Sequence, residues 1–154
     1  MVNGPMPDWT LEEAKDWLRE RLDHGADCPC CTQRAQVYRR KLNSRMARGL
    51  IALYLATGGR DYGHLPTIAG DGCEVGKLRY WGLVVEEPEA RPDGGRAGYW
   101  KLTPDGVDFV RGRLRVPKYA RIYDGRRLGL RGEPVDIRDC LGSPFHYDEL
   151  MAGI

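Results

Sequence analysis

KLRYWGLVVEE, residues 77–87, runs into a loop rich in Gly and Pro and returns as GYWKLTPDG, residues 98–106. Leu83-Val-Val85 is apolar throughout and predicts a strand, and Tyr99-Trp-Lys-Leu102 predicts the strand that comes back. Between them PEARPDGGRAG (88–98) holds two prolines and three glycines, the composition of a solvent-exposed loop. Upstream, Val75 and Leu78 stand three apart and lead straight into the first strand, so Gly72 to Gly82 is expected to be a helix despite Gly76. Downstream, Thr103-Pro104 starts another: Thr caps, Pro sits at the first helical position, Val107, Phe109, Val110 and Leu114 continue, and Pro117 is expected to end it.

Further toward the N-terminus, Leu42, Met46, Leu50, Ile51, Leu53 and Tyr54 trace an amphipathic helix that begins at Asn43 or Ser44 and stops at Gly58-Gly59. A short apolar piece, Leu65 to Ala69, suggests a small second helix. Thr10-Leu-Glu-Glu13 has the form of a capping box, with Leu11, Ala14, Trp17, Leu18 and Leu22 as one docking stripe and Gly25 as the closing cap; this helix reads as a structural arm. Toward the C-terminus, Asp124-Gly125 between Tyr119–Tyr123 and Arg126–Leu130 predicts a hairpin with a type I′ turn. A short helix near 135–141 and a turn at 147–151 complete the chain.

Together these elements predict an α+β fold of ordinary one-domain size, in three parts: an N-terminal helix with a Cys-rich basic arm (1–41), a helix-and-hairpin core (42–116), and a C-terminal hairpin with short helices (117–154). Lys77–Leu83, the loop and Gly98–Gly106 resemble the recognition-helix, wing and following-helix passage of MarR-like winged-helix regulators. The resemblance covers residues 42–115 and implies a winged helix-turn-helix core, double-stranded DNA as partner, and a symmetric dimer through terminal helices, although the terminal elements here differ from that family's long helices. With its Cys-Pro-x-Cys turn, basic helix and C-terminal hairpin, the whole chain also resembles small proteins of phages and prophages, a likeness that implies context and no activity.

Net charge is only +2, yet its distribution is uneven. Residues 1–27 hold seven acids and three bases, whereas 28–60 hold no acid and seven bases; 109–132 hold eight bases against Asp124 alone. Such blocks suit a polyanion, the alternative being faces that are merely solvated or paired with the acidic first helix. In a winged helix one helix enters the major groove and the wing crosses to a neighbouring backbone or minor groove, which needs bases on one helix face and at the loop tip. Spacing the 72–82 helix at about 100° per residue turns Val75 and Leu78 inward, Lys77, Tyr80 and Cys73 outward, and Arg79 to the flank. Arg91 and Arg96 fall in the wing. Glu74 would repel phosphate unless it accepts from a cytosine amino group. Trp81 and Trp100 read as packing around the wing base. Arg39, Arg40, Lys41, Arg45 and Arg48 precede and begin the first core helix, where cations oppose the helix dipole and so point to an outside anion.

Five cysteines, three of them within residues 28–31, make a poor disulfide framework. Cys28 and Cys31 have the spacing of half a zinc site, to be completed by two of His24, Cys30, His64, Cys73 and Cys140 or by a second chain; idle thiols and redox chemistry are the alternatives. No nucleophile elbow, phosphate loop or paired metalloprotease histidines occur, so a non-enzyme without a small-molecule substrate is expected. The absence of a long apolar run or a leader-like N-terminus points to a cytoplasmic protein with no membrane partner. The rivals to DNA binding are a protein-interaction module that uses the Tyr119–Leu130 hairpin to extend a partner's sheet or pair two copies, and a zinc-dependent sensor.

Overall fold

The structure is a computed structural model that describes residues 4–70, 72–88 and 98–153. It is a mixed α+β fold with antiparallel sheets, and its contacts divide into two units, Met1–Arg40 with Arg121–Gly129 and Lys41–Ala120 with Leu130–Ile154. No helix among the described residues is long and apolar enough to cross a membrane.

In the first unit, α1 (Leu11–Arg19) starts at the expected capping box: the Glu13 N–H donates to Thr10 Oγ1, and Glu13 Oε1 accepts from the Thr10 N–H, each at 3.2 Å. It ends earlier than its sequence suggests. Arg21 donates to the Trp17 carbonyl at 2.8 Å and lies 4.4 Å over the Trp17 ring, which satisfies the last turn, so the chain leaves the helix at Glu20; Gly25, at φ 87°, turns the chain into the next strand instead of capping. Of the expected stripe only Ala14 is buried, and Leu11 is 60 % exposed. Strands β1 (Ala26–Asp27) and β2 (Arg34–Ala35) pair antiparallel around the cysteine turn. Strand β3 (Tyr38–Lys41) was not foreseen: its four side chains are all exposed, so no apolar alternation marks it.

In the second unit, α2 (Ser44–Thr57) is capped by Asn43, whose Oδ1 accepts from the Met46 N–H at 2.9 Å, and is closed by Gly58 in the left-handed conformation. Met46, Ala47, Leu50, Ile51 and Leu53 form its buried face. Then follow β4 (Gly63–His64), α3 (Leu65–Ala69), a 3-10 helix (Val75–Trp81), β5 (Val84–Glu86), β6 (Tyr99–Leu102) and α4 (Pro104–Val110). The strands make an antiparallel sheet in the order β4-β6-β5, with His64 opposite Tyr99 and Val85 opposite Lys101. Thr103 ties α4 to this sheet: its hydroxyl accepts from the Gly106 N–H at 3.0 Å and donates to the Gly82 carbonyl at 2.6 Å, while its N–H reaches the Leu83 carbonyl.

Two expectations are corrected here. The segment expected as an α-helix over 72–82 is a 3-10 helix of seven residues, because Val75, Leu78 and Trp81, spaced three apart, are all buried; a three-residue turn keeps them in one row, whereas an α-helix would rotate them apart. Helix α4 stops at Val110, not at Pro117, since Gly112 adopts φ 74° and the Arg113 N–H returns to the Asp108 carbonyl. Pro117 lies inside β7 (Val116–Tyr123), where its carbonyl accepts from Trp81 Nε1 at 2.7 Å. β8 (Arg126–Val135) follows the expected turn, with Asp124 at φ 50° and Gly125 at φ 71°, and the sheet runs β3-β7-β8. α5 (Ile137–Leu141), with an Asp136/Asp139 capping box, and α6 (Tyr147–Met151) end the chain; the Tyr147 hydroxyl donates to the Val110 carbonyl.

Candidate nucleic-acid interface

Among the described residues no charged or polar side chain is buried, so the cations all reach the surface and the question is how they group. A 3-10 helix has three rows of side chains. With Val75, Leu78 and Trp81 inward, the second row holds Gly76, packed near the Trp100 ring, and Arg79, which is exposed; the third holds Lys77 and Tyr80, both partly covered. Arg79, assigned to the flank by α-helical spacing, is thus the more exposed residue. Its guanidinium lies 4.8 Å over the Tyr80 ring and donates to the Tyr80 hydroxyl at 3.0 Å, which joins a cation and an aromatic in one projecting pair.

Lys77 is occupied. Its Nζ lies 2.9 Å from Glu74 Oε1, and Glu74 Oε2 accepts from Asn43 Nδ2 at 3.1 Å. The hydrogen bond from Lys77, then that from Asn43, holds the Glu74 carboxyl below its ordinary range. Glu74 therefore answers a cation and an amide of its own chain.

Arg45 and Arg48, exposed on α2, line a groove of about 410 Å³ with Gly49, Ile68, Gly72 and Cys73. Arg45 donates to the Gly72 carbonyl at 3.4 Å, and the Arg48 guanidinium sits 4.3 Å over the Phe145 ring. Both guanidiniums are therefore placed beside the turn that enters the 3-10 helix or stacked on the fold. Arg39 and Arg40 are exposed on β3. Lys41 opens the second unit and borders a cleft of about 630 Å³ that also receives Arg115, Lys118, Glu133, Asp139 and Cys140. Lys118 and Glu133 pair there at 4.0 Å. Arg91 and Arg96 lie outside the described residues.

Sequence reading missed two groups. Arg115 and Lys118 join Lys41 only through folding, which no local spacing reveals. On the outer face of the β4-β6-β5 sheet, Tyr99 packs on His64 with centroids 4.9 Å apart, and Lys101 lies 4.7 Å over the Tyr62 ring. Alternation would have found these: Trp100 and Leu102 are buried, so Tyr99 and Lys101 face out.

The cysteines divide by surroundings. In the β1–β2 turn the Cys28 N–H donates to the Gln33 carbonyl and the Thr32 N–H to the Cys28 carbonyl, at 2.7 and 2.9 Å. Backbone N–H groups of Cys31 and then Cys30 point at the Cys28 sulfur and lower its thiol pKa. Cys140 is the opposite case: burial first, then Asp139 and Asp136, pushes its thiol up to about 12, so it is a poor metal ligand or nucleophile. Among the described residues no group of three or more His, Cys, Asp or Glu is set to hold a metal ion, so Cys28 and Cys31 are not joined by His24, His64 or Cys73. Compared with protein-family models, curated proteins and solved structures, the chain matches none.

Proposed function

We propose that this chain is a non-enzymatic double-stranded DNA-binding protein on a winged-helix scaffold, a transcription regulator of the phage type. The observation that carries the reading is the order α2, β4, α3, 3-10 helix, β5, β6, α4 with the sheet arranged β4-β6-β5, so that β5 and β6 form a hairpin whose loop is the wing. The Arg79–Tyr80 pair is the part that reaches base edges, because a guanidinium braced on an aromatic ring loses little freedom on binding. Arg45 and Arg48 at the α2 groove take phosphate, as do the exposed cations of β3. Tyr99, Lys101 and His64 extend the same contact from the wing base.

A salt titration of duplex binding tests this, read by fluorescence anisotropy. Affinity falls with salt, with log K against log salt declining by about 0.9 for each phosphate contact. Arg45→Ala and Arg48→Ala each reduce that slope by about one and weaken all sequences alike, whereas Arg79→Ala relaxes the preference between sequences. Absence of duplex binding at low salt, or binding indifferent to salt, overturns the proposal.

A further inference from the structure

Lys41, Arg115 and Lys118 come from separate stretches of chain, yet all three border one cleft of about 630 Å³. We infer that this cleft binds a phosphorylated small molecule, with Arg115, Lys41 and the Ser44 hydroxyl on the phosphate and an apolar body against the floor beneath.

The cleft lies wholly within the second unit, between the junction of β3 and α2, the start of β7, and the end of β8 with α5. The Leu42 N–H donates to the Lys118 carbonyl at 3.0 Å, which fixes β7 beside the β3–α2 junction and brings Lys41 and Lys118 to the same opening. Leu42, Val135 and Leu141 line it at 4 %, 7 % and 2 % exposure, so its floor is the edge of the core. The volume falls in the range of roughly 300–1,000 Å³ typical of small-ligand sites, and an apolar floor with a few convergent polar groups is their usual lining.

The charged groups of the cleft decide which ligand fits. Both of its carboxylates are already engaged: Asp139 Oδ2 accepts from the Asp136 N–H at 3.0 Å in the α5 capping box, and Glu133 faces Lys118 at 4.0 Å with its own side chain 75 % exposed. Among the described residues Lys41 and Arg115 have no acid partner, and the Ser44 hydroxyl makes no hydrogen bond. Cations gathered by folding repel one another, and an anion between them removes that repulsion. A guanidinium fork, an ammonium and a hydroxyl offer more donors than a carboxylate can accept and suit the several oxygens of a phosphate. The buried floor adds a place for an apolar group, which favours a phosphomonoester over inorganic phosphate. Lys41 is also one of the β3 cations assigned to DNA phosphate, whereas Arg115 is not, so Arg115 separates the two roles.

The test titrates full-length protein at low salt with phenyl phosphate and with inorganic phosphate, read by calorimetry. The expected result is one phenyl phosphate per chain, held about tenfold more tightly than inorganic phosphate. Arg115→Ala weakens phenyl phosphate binding about tenfold with unchanged circular dichroism and leaves the salt slope of duplex binding as it was. Glu133→Gln, at an exposed position, releases Lys118 and tightens binding severalfold, a gain that a damaged fold cannot imitate. Failure of phenyl phosphate to saturate, equal affinity for the two anions, or affinity indifferent to both substitutions overturns the proposal. So does an Arg115→Ala variant that loses one unit of duplex salt slope and keeps its phenyl phosphate affinity, because the cation then serves DNA. The phenyl phosphate titration needs no duplex, so it is readable even where the DNA-binding reading fails.

Discussion

Asn43 does two jobs with two ends of one amide: Oδ1 caps α2 on the Met46 N–H, and Nδ2 donates to Glu74, the residue that opens the 3-10 helix. Three substitutions separate the jobs. Asn43→Ser keeps a good cap and removes the donor; with the site half-buried, the lost bond to a carboxylate costs about 1 kcal/mol, below the ~1.5–3 of a fully buried one. Asn43→Ala removes the cap as well, for another ~1 kcal/mol, or about 2 in all. Asn43→Asp keeps the cap but sets a second carboxylate against Glu74. Two like charges at ~4 Å repel by about 1 kcal/mol in water and about 4 at an effective dielectric of ~20, and this half-buried site falls nearer the first figure.

At neutral pH the order of stability is therefore unmodified chain, then Ser, then Asp and Ala close together. For a chain of this size about 1 kcal/mol moves Tm by ~2–4 °C, which scanning calorimetry or urea denaturation resolves. The pH dependence supplies the sharper reading. In the unmodified chain the Glu74 pKa is lowered on folding, so its stabilisation is present above the ordinary value of 4.5 and is lost as pH falls through the lowered one. In Asn43→Asp one of two facing carboxylates takes up a proton as pH falls toward that range, the repulsion lapses, and the variant draws level with Asn43→Ser. If the Asp and Ser variants are equally stable at pH 7 and stay equal down to pH ~4, the Asn43–Glu74 contact carries no energy and this reasoning fails.

Trp81→Phe leaves the Pro117 carbonyl without its 2.7 Å donor and should cost about 1–3 kcal/mol in urea denaturation; a loss within ~0.5 kcal/mol would mean water replaces the indole. Gly106→Ala places a Cβ 2.0 Å from the Leu83 carbonyl oxygen, a backbone atom, so it should sharply lower soluble yield, whereas Gly76→Ala meets the Trp100 ring at 3.0 Å and should be milder; equal behaviour would contradict the close approach of α4 to the strand. Cys140, with its thiol pushed up to about 12, stays protonated at pH 8 and should react with a disulfide reagent far more slowly than Cys28, becoming reactive in guanidinium; comparable native rates for the two refute that difference. Arg48→Ala removes the stacking on Phe145 and should cost about 0.5–1 kcal/mol, detectable as a small fall in Tm, while Arg79→Ala, stacked only on its own neighbour, should leave Tm unchanged.

What the sequence made legible was what local chemistry decides. Asn43, Thr10 and Thr103 are caps because their side-chain oxygens answer N–H groups three residues on, and Asp124-Gly125 is a turn because both residues tolerate positive φ. The 3-10 helix was mistaken for an α-helix although its signature stands in the text: Val75, Leu78 and Trp81 recur every three residues, and an α-helical stripe would have required a step of four. Strand β3 had no signature, since Tyr38 to Lys41 expose every side chain and hold their place through backbone pairing. For the candidate interface, the cation blocks were visible but their partners were not. That Lys77 is engaged by Glu74, or that Arg115 and Lys118 meet Lys41, depends on contacts between residues distant in the chain or on the pitch of a turn.

The pitch of that turn also limits how much a single chain can discriminate. A 3-10 helix rises about 2.0 Å per residue, so Arg79 and Tyr80 are separated by about 2 Å along the axis and, with Lys77 held by Glu74, the pair spans less than two base-pair steps of ~3.4 Å. The rows run parallel to the axis and do not slant across it, so no further residue of the element comes into line with them. On the DNA-binding reading, one copy then inspects a window of about two base pairs, too short to mark a unique site in any genome. Useful selectivity on that reading requires several such windows, and the distance between them, more than any one window, defines the length of the target.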